Sequence, residues 1–293
     1  MKAPPVTIKT VLITGCSSGI GLAIAKRLRD QGWHVSPTAR KSADLDMLRA
    51  EGFDPIQLDV ADSDSIRIAA ETVLKRYDGQ LGALVNNAGF GIAAAMEDCS
   101  RDMLRSVFEV NLFGLQELTN CFIPTFRKQG YGRIVNISSV LGELSIPFSG
   151  AYSASKFAVE AASDALRREL NGSGVAVSIV QPGPIDTRFS QNLAHRTDEF
   201  ERNPNSPFYA FYQDAIETRK NGTAGRTADR FMKPPEAVAA TVLRCLDSST
   251  PPRRTCVTVV AYFGRFIRRF WPTSLIDAIV AYKLRQKLQH HGS

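Results

Sequence analysis

Tyr152 and Lys156 stand four residues apart, and Ser139 lies thirteen residues before the tyrosine. A phenol holds its proton at neutral pH because its reference pKa is about 10. On a helix, a residue four positions on lies on the same face, one turn away. The spacing therefore predicts that the Lys156 ammonium favours the phenolate and draws the Tyr152 pKa down into a useful range. A serine hydroxyl brought alongside would hold a carbonyl or alcohol oxygen at the same point. Such a pair also arises by chance as two surface residues on a helix. Four further motifs, in the order this chemistry would need, argue against that alternative here.

These residues need a scaffold, and the chain alternates short apolar runs with amphipathic segments. Thr10 to Thr14 reads as a buried strand, followed by the glycine- and serine-rich turn Gly15 to Gly21. Ile20, Ala23, Ile24 and Leu28 then recur at helical spacing up to Gly32. Further strands are expected at Trp33 to Ala39, Pro55 to Leu58, Ala83 to Val85, Arg133 to Ile137 and Val175 to Val180. Helices are expected from Ser63 (as N-cap) to Tyr77, from Arg101 to Arg127 in one run, and through Tyr152 to Leu170. The predicted fold is α/β, a doubly wound parallel sheet of Rossmann type with a C-terminal helical extension. Ligands bind such sheets at the carboxyl ends of the strands. Gly15–Gly21, Asp59, Asn86–Gly89, Ser138–Ser139 and Pro182–Gly183 all fall there.

Thr14-Gly15-Cys16-Ser17-Ser18-Gly19-Ile20-Gly21 joins the first strand to the first helix. Glycines let backbone approach a pyrophosphate, and a helix N-terminus attracts its charge. An isolated motif of this kind is often an ordinary turn; the strand before and the helix after favour a dinucleotide. The spacing Gly-x-x-x-Gly-x-Gly resembles the short-chain dehydrogenase/reductase family. So do Asn86-Asn87-Ala88-Gly89, Asn111, Ser139, Tyr152-x-x-x-Lys156 and Pro182-Gly183-x-x-x-Thr187. The resemblance covers residues 8 to 190 and extends more loosely to about 260. The retinol dehydrogenase, 17β-hydroxysteroid dehydrogenase and aldehyde reductase branches are the most similar.

The resemblance implies a nicotinamide cofactor held by Thr14, Gly15, Ser17, Ser18, Gly19, Ile20 and Gly21, by Asp59 and Val60, and by Asn87, Ala88 and Gly89. Tyr152, Lys156, Pro182, Gly183, Ile185 and Thr187 complete the set, with Thr187 at the carboxamide. Asp59 would meet the adenine; the alternative is a turn aspartate. An acid at the end of the second strand would favour NAD. Here Ala39 takes that place and Arg40 follows, a guanidinium suited to a 2′-phosphate. NADP(H) is therefore expected, with NAD(H) less favoured; a merely solvated Arg40 is the alternative.

Hydride transfer is the cofactor's chemistry, and the protein manages one proton. In carbonyl reduction Tyr152 would protonate the oxygen that Ser139 holds. The resemblance adds that Lys156 binds the ribose and that Asn111 holds a water in the proton relay; otherwise Asn111 would simply bond within its helix. Neither His34 nor His195 completes a hydrolase triad. A 3-oxoacyl thioester reductase and a non-catalytic dinucleotide sensor or scaffold are the competing functions. The first is disfavoured by the long C-terminus, the second by the intact Tyr152 and Lys156.

The 293 residues are 44% hydrophobic, enough for one large core. Residues 1–262 read as a single dinucleotide-binding domain, with 188–235 as a substrate lid and 263–293 as a basic extension. The lid carries Phe189, Phe200, Phe208, Tyr209, Phe211 and Tyr212, which would either line a lipophilic pocket or pack the lid on the body. Pro234-Pro235-Glu236 should open a helix, and Cys256 to Ala261 should form an edge strand. Five scattered cysteines and four histidines give neither a disulfide framework nor a metal site. A reducing, cytoplasmic setting without a signal peptide is expected.

The net charge of +7 sits in the tail: from residue 251 on there are eight basic residues and one acid, leaving 28 of each sign elsewhere. Arg265-Phe266-Ile267-Arg268-Arg269-Phe270-Trp271 suits either a docked helix with a solvated basic face or weak peripheral membrane contact. No nucleic-acid motif accompanies the charge. The expected partners are a small lipophilic carbonyl or alcohol and further copies of the chain, as a homodimer or homotetramer.

Overall fold

Thr10–Ile13 (β1) is buried along its whole length, as a strand covered on both faces must be. Val11 and Ile13 enter one apolar core and Leu12 the other, following the period-two alternation of a strand. The computed structural model describes residues 2–189, 193, 200, 203–210, 212–213 and 231–289. Phe211 and His195 lie outside the described residues, as does most of the expected lid.

From β1 the chain runs through α1 (Gly19–Asp30), β2 (His34–Ala39), α2 (Ser42–Ala50), β3 (Ile56–Gln57) and α3 (Ser63–Arg76). It continues with β4 (Ala83–Asn86), α4 (Arg101–Phe108), α5 (Leu115–Gln129), β5 (Gly132–Ile137), α6 (Gly150–Glu169) and β6 (Val175–Gln181). After the lid region come α7 (Glu236–Asp247), β7 (Arg254–Cys256), α8 (Val259–Phe270) and α9 (Thr273–Gln289). The seven strands form one parallel sheet in the order β3-β2-β1-β4-β5-β6-β7. Order reverses beside β1, which opens the crevice that binds ligands in such sheets. One core joins the sheet to α1, α2 and α7 through Ile24, Leu28, Leu48, Val238 and Val242. The other joins it to α3, α5 and α6 through Ile66, Leu118, Phe122 and Leu166. The doubly wound parallel fold expected from the sequence is the fold observed.

Three local expectations are corrected. Asp62, not Ser63, caps α3, because its carboxylate accepts the Asp64 N–H at 3.0 Å while the Ser63 hydroxyl turns to Glu117. The single helix expected from Arg101 to Arg127 is interrupted by a π-helical turn, Glu109–Gly114, and continues to Gln129. A side chain at Gly114 would overlap the Val60 carbonyl, so the wide turn rests directly on the loop after β3. The edge strand stops at Cys256, and Val259–Ala261 is helical. Thr258 ends the strand by turning its hydroxyl to the Ala261 N–H at 3.2 Å, capping α8. Helix α8 therefore runs across residue 262.

Candidate active site

The loops at the ends of β1 and β4 are pressed together. Thr14 Oγ1 accepts the N–H groups of Asn87 and Ala88, both at 2.9 Å. Asn87 Nδ2 returns bonds to the carbonyls of Thr14 (2.9 Å) and Gly15 (3.0 Å). Gly15 adopts φ +71°, and a Cβ there would come within 2.9 Å of Ala88 Cα. A Cβ at Gly21 would overlap the Gly15 carbonyl and approach Asn87 Nδ2 to 2.6 Å. Glycine is thus required at both places. Ser18 precedes α1 without a side-chain cap, which leaves the first-turn N–H groups for an anion. Thr187 covers the loop from the far side, its Cγ2 3.1 Å from where a Gly19 Cβ would stand. A backbone cradle, an uncapped helix start and a close-packed Asn87 fit a dinucleotide pyrophosphate. Cys16, between Thr14 and Ser17, is buried with its thiol pKa pushed up to about 12 by desolvation, and is inert at neutral pH.

Arg40 and Asp59 meet at the ends of β2 and β3. The guanidinium lies 3.7 Å from the Asp59 carboxylate, with both side chains substantially exposed. Asp59 also accepts the Ala61 N–H at 3.0 Å, the turn role weighed from sequence. Val60 is buried beside it. Pro182, Gly183 and Ile185 leave β6 towards the C-terminal elements. A Gly183 side chain would overlap the Thr258 hydroxyl, and Ile185 pairs with Lys233 in an isolated parallel bridge.

The catalytic candidates converge where β5 meets α6. Tyr152 and Lys156 share one face of α6, and Ser139 follows β5 with its hydroxyl near the Tyr152 phenol while accepting the Leu141 N–H at 3.1 Å. Ser138 turns away: its buried hydroxyl has no partner and packs on Gly142. Tyr152 is partly open to solvent as a residue. Desolvation nonetheless pushes its pKa up to about 12, and the neighbouring Ser139 hydroxyl opposes the rise. The expected lowering by lysine is absent from this geometry. The Lys156 ammonium donates to the Ile137 carbonyl at 2.8 Å and lies 5.7 Å from the tyrosine ring centroid. Burial draws its own pKa down to about 8, with Glu160 one turn on opposing the fall. Helical spacing placed the two residues on one face but did not fix where the ammonium points.

Asn111 sits in the π-turn, fully buried, with its amide committed to protein groups. It accepts the Phe90 N–H at 3.0 Å and donates to the Phe90 carbonyl (2.9 Å) and to Ser155 Oγ (2.9 Å). The Ser155 hydroxyl in turn donates to the Tyr152 carbonyl at 2.8 Å. Asn111 therefore ties the β4 loop to the turn of α6 that carries the tyrosine. Ser155 went unnoticed in the sequence, although Tyr152-x-x-Ser155 is a visible hydroxyl on the same helix.

A second omission is the buried ladder Thr119–Asn86–Asn136–Ser163. Asn86 Nδ2 donates to Thr119 Oγ1 and Asn136 Oδ1, both at 2.9 Å, and Asn136 Nδ2 donates to Ser163 Oγ at 2.8 Å. A third is the group beneath α8, where Arg254 bonds Glu160 at 2.7 Å while Gln181 donates to Glu143 (2.7 Å) and Glu160 (2.9 Å). The signal for both was polar residues inside strands otherwise read as apolar.

Next to the phenol the wall is apolar. The Phe189 ring stands 5.5 Å from the Tyr152 ring, and Leu193 Cδ1 and Tyr152 both face Gly91. Phe208 and Tyr212 instead pack the lid to the body. Phe148 makes edge contacts with Phe208 (5.3 Å) and Tyr212 (5.9 Å), and the Tyr212 hydroxyl donates to Asp98 at 2.6 Å.

Residues 9–198 match the short chain dehydrogenase family. The chain belongs to it. It is 39% identical over 273 residues to the uncharacterized oxidoreductase YbbO of Escherichia coli K12, covering 93% of this chain and 94% of that protein. It is 34% identical over 293 residues to 17-beta-hydroxysteroid dehydrogenase type 6 of Rattus norvegicus, covering 96% and 90%. A short-chain dehydrogenase structure from Streptomyces avermitilis superposes with a TM-score of 0.73 at 32% identity, covering 98% of each chain. Other structures of this fold hold NAD or NADP. This family member is thus an oxidoreductase of CH–OH groups that binds a nicotinamide dinucleotide. No helix among the described residues is long and apolar enough to cross a membrane.

Proposed function

We propose that this chain is an NADP(H)-dependent reductase of lipophilic aldehydes or ketones, such as retinoids, steroids or other apolar carbonyls. The observation that carries the reading is the Tyr152 phenol, placed beside Ser139 and walled by Phe189 and Leu193. Bound between the Gly15–Gly21 loop and Asn87–Gly89, the cofactor would supply the hydride. Ser139 and Tyr152 hold the substrate oxygen, and Tyr152 gives it a proton. A phenol with its pKa near 12 is protonated at neutral pH, the form that reduction requires. A lysine with its pKa near 8 is mostly charged there, 5.7 Å from the Tyr152 ring centroid. Asn111 and Ser155 fix the α6 turn on which Tyr152 stands. Arg40 receives the 2′-phosphate, and Asp59 holds it in place until then.

The apolar neighbours of Tyr152 favour a substrate whose carbonyl carries hydrocarbon, because burying that surface contributes about 25 cal/mol per Å². The test is NADPH oxidation with aldehydes, retinoids, ketosteroids and 3-oxoacyl thioesters. Turnover is expected with the apolar carbonyls. Turnover confined to acyl thioesters or to short polar carbonyls would contradict the substrate reading. Cofactor binding without turnover on any of them would contradict the enzymatic one.

A further inference from the structure

Helix α8 packs inward through its smallest residues. Ala261 and Gly264 are buried, and Gly264 lies against Val140, directly after Ser139. The opposite face carries Val259, Tyr262, Phe263, Phe266 and Phe270 at intervals of three and four residues, so they form one stripe. Every one is exposed: 68%, 58%, 56%, 53% and 66%. Phe266 and Phe270 stack on each other with ring centroids 4.9 Å apart instead of on the body. Helix α9 repeats the pattern with Leu275, Ile279 and Tyr282 exposed on one side. A soluble surface helix normally turns such a face inward, and a contiguous exposed apolar patch marks an interaction site.

Charge identifies the partner. Arg268 and Arg269 are exposed at the end of α8, and Lys283 and Arg285 are exposed on α9. Asp277 is the one acid among residues 259–289. By contrast, Arg254 and Arg265 are tied to the Glu143–Glu160–Asp164 group beneath the helix. A second copy laid on this stripe would bring two like-charged tails together. An anionic surface would be attracted by the same residues. A convex, aromatic helix face about 18 Å long, bordered by arginines, has the form of an interfacial helix lying in the headgroup plane.

We infer that the outer face of α8, assisted by α9, docks this protein peripherally on anionic lipid membranes. Docking would set the outer side of the Ser139 wall against the bilayer, since α8 is seated on Val140 and its cap Thr258 on Gly183. The aromatic stripe supplies the apolar burial, and the exposed basic residues supply an attraction that weakens with salt.

Flotation of the full chain with phosphatidylcholine vesicles, with and without phosphatidylserine, tests this independently of any turnover. The wild type should float only with the anionic vesicles. Phe263→Glu/Phe266→Glu should abolish flotation, and Arg268→Gln and Arg269→Gln should each weaken partitioning about fivefold. All variants should keep the wild-type Tm, because these side chains are exposed. Failure of the wild type to float, equal flotation with neutral vesicles, or unchanged flotation of the glutamate variant would each overturn the inference. So would a wild type that fails to float and whose oligomer falls apart, by sedimentation, on Phe263→Glu/Phe266→Glu. That outcome would assign the stripe to a second copy.

Discussion

Arg40→Ala removes a guanidinium that stands at the end of β2, substantially exposed and 3.7 Å from the Asp59 carboxylate. A pair that exposed contributes about 0–1 kcal/mol to stability. The bond from Gln57 to the Arg40 backbone carbonyl, at 3.1 Å, survives the substitution. The fold should therefore lose about 1 kcal/mol at most. A hydrogen bond to a charged group contributes about 1.5–3 kcal/mol, which converts to a rise of about 10- to 150-fold in the Kd for NADPH. NADH lacks the 2′-phosphate, so its affinity should not change. Asp59→Asn separates the two roles of the arginine, because it frees Arg40 from a competing carboxylate and keeps a side chain able to accept the Ala61 N–H. NADPH should then bind as well as to the wild type or more tightly. Titration of reduced-nicotinamide fluorescence measures each of these affinities. Equal weakening of both cofactors by Arg40→Ala, no weakening of NADPH, or an Asp59→Asn variant that reproduces the Arg40→Ala loss would refute the reasoning.

Two further outcomes follow from the same geometry. Gly21→Ala drives a methyl into the Gly15 carbonyl and against Asn87 Nδ2. The Asn87 bonds to Thr14 and Gly15 should be lost, at about 1 kcal/mol each, giving a drop in Tm and weaker binding of both cofactors; an unchanged Tm with unchanged binding would contradict it. Lys156 has a folded-state pKa of about 8 against about 10.4 when exposed. Between those values the unfolded chain binds the proton and the folded chain does not, so stability rises with pH across that window. Relative to Lys156→Met, the wild type should gain on the order of 3 kcal/mol between about pH 7.5 and pH 10.5 in urea unfolding. A gap between the two proteins that does not vary with pH would contradict the buried-lysine assignment.

The sheet and the site's address were legible in the sequence because both follow from local pattern. β1 and β5 announce themselves as apolar runs, and the glycine, asparagine and serine motifs fall at strand ends in register. The π-turn at Glu109–Gly114 was not legible, since one extra residue per turn scarcely disturbs an apolar periodicity. Its cause is tertiary, the approach of Val60 to Gly114. Val257-Thr258-Val259-Val260 reads as strand because β-branched residues favour one. The Thr258 cap and the fit of Gly264 on Val140 override that preference. Spacing placed Lys156 on the face of Tyr152, yet the Ile137 carbonyl that accepts its hydrogen bond belongs to β5 and could not be read from α6. Where lid aromatics would stand was also undecidable from composition: Phe189 lies against the Tyr152 ring, whereas Phe208 and Tyr212 pack on Phe148.

The central claim is that Tyr152 delivers the proton, and Tyr152→Phe tests it most directly. The substitution deletes one hydroxyl from a ring whose contacts with Phe189 and Gly91 remain. Turnover of the best carbonyl substrate should fall by about 10²- to 10⁴-fold while the Kd for NADPH stays at the wild-type value. Turnover within a few-fold of wild type would contradict the account, and so would a loss fully explained by weaker NADPH binding.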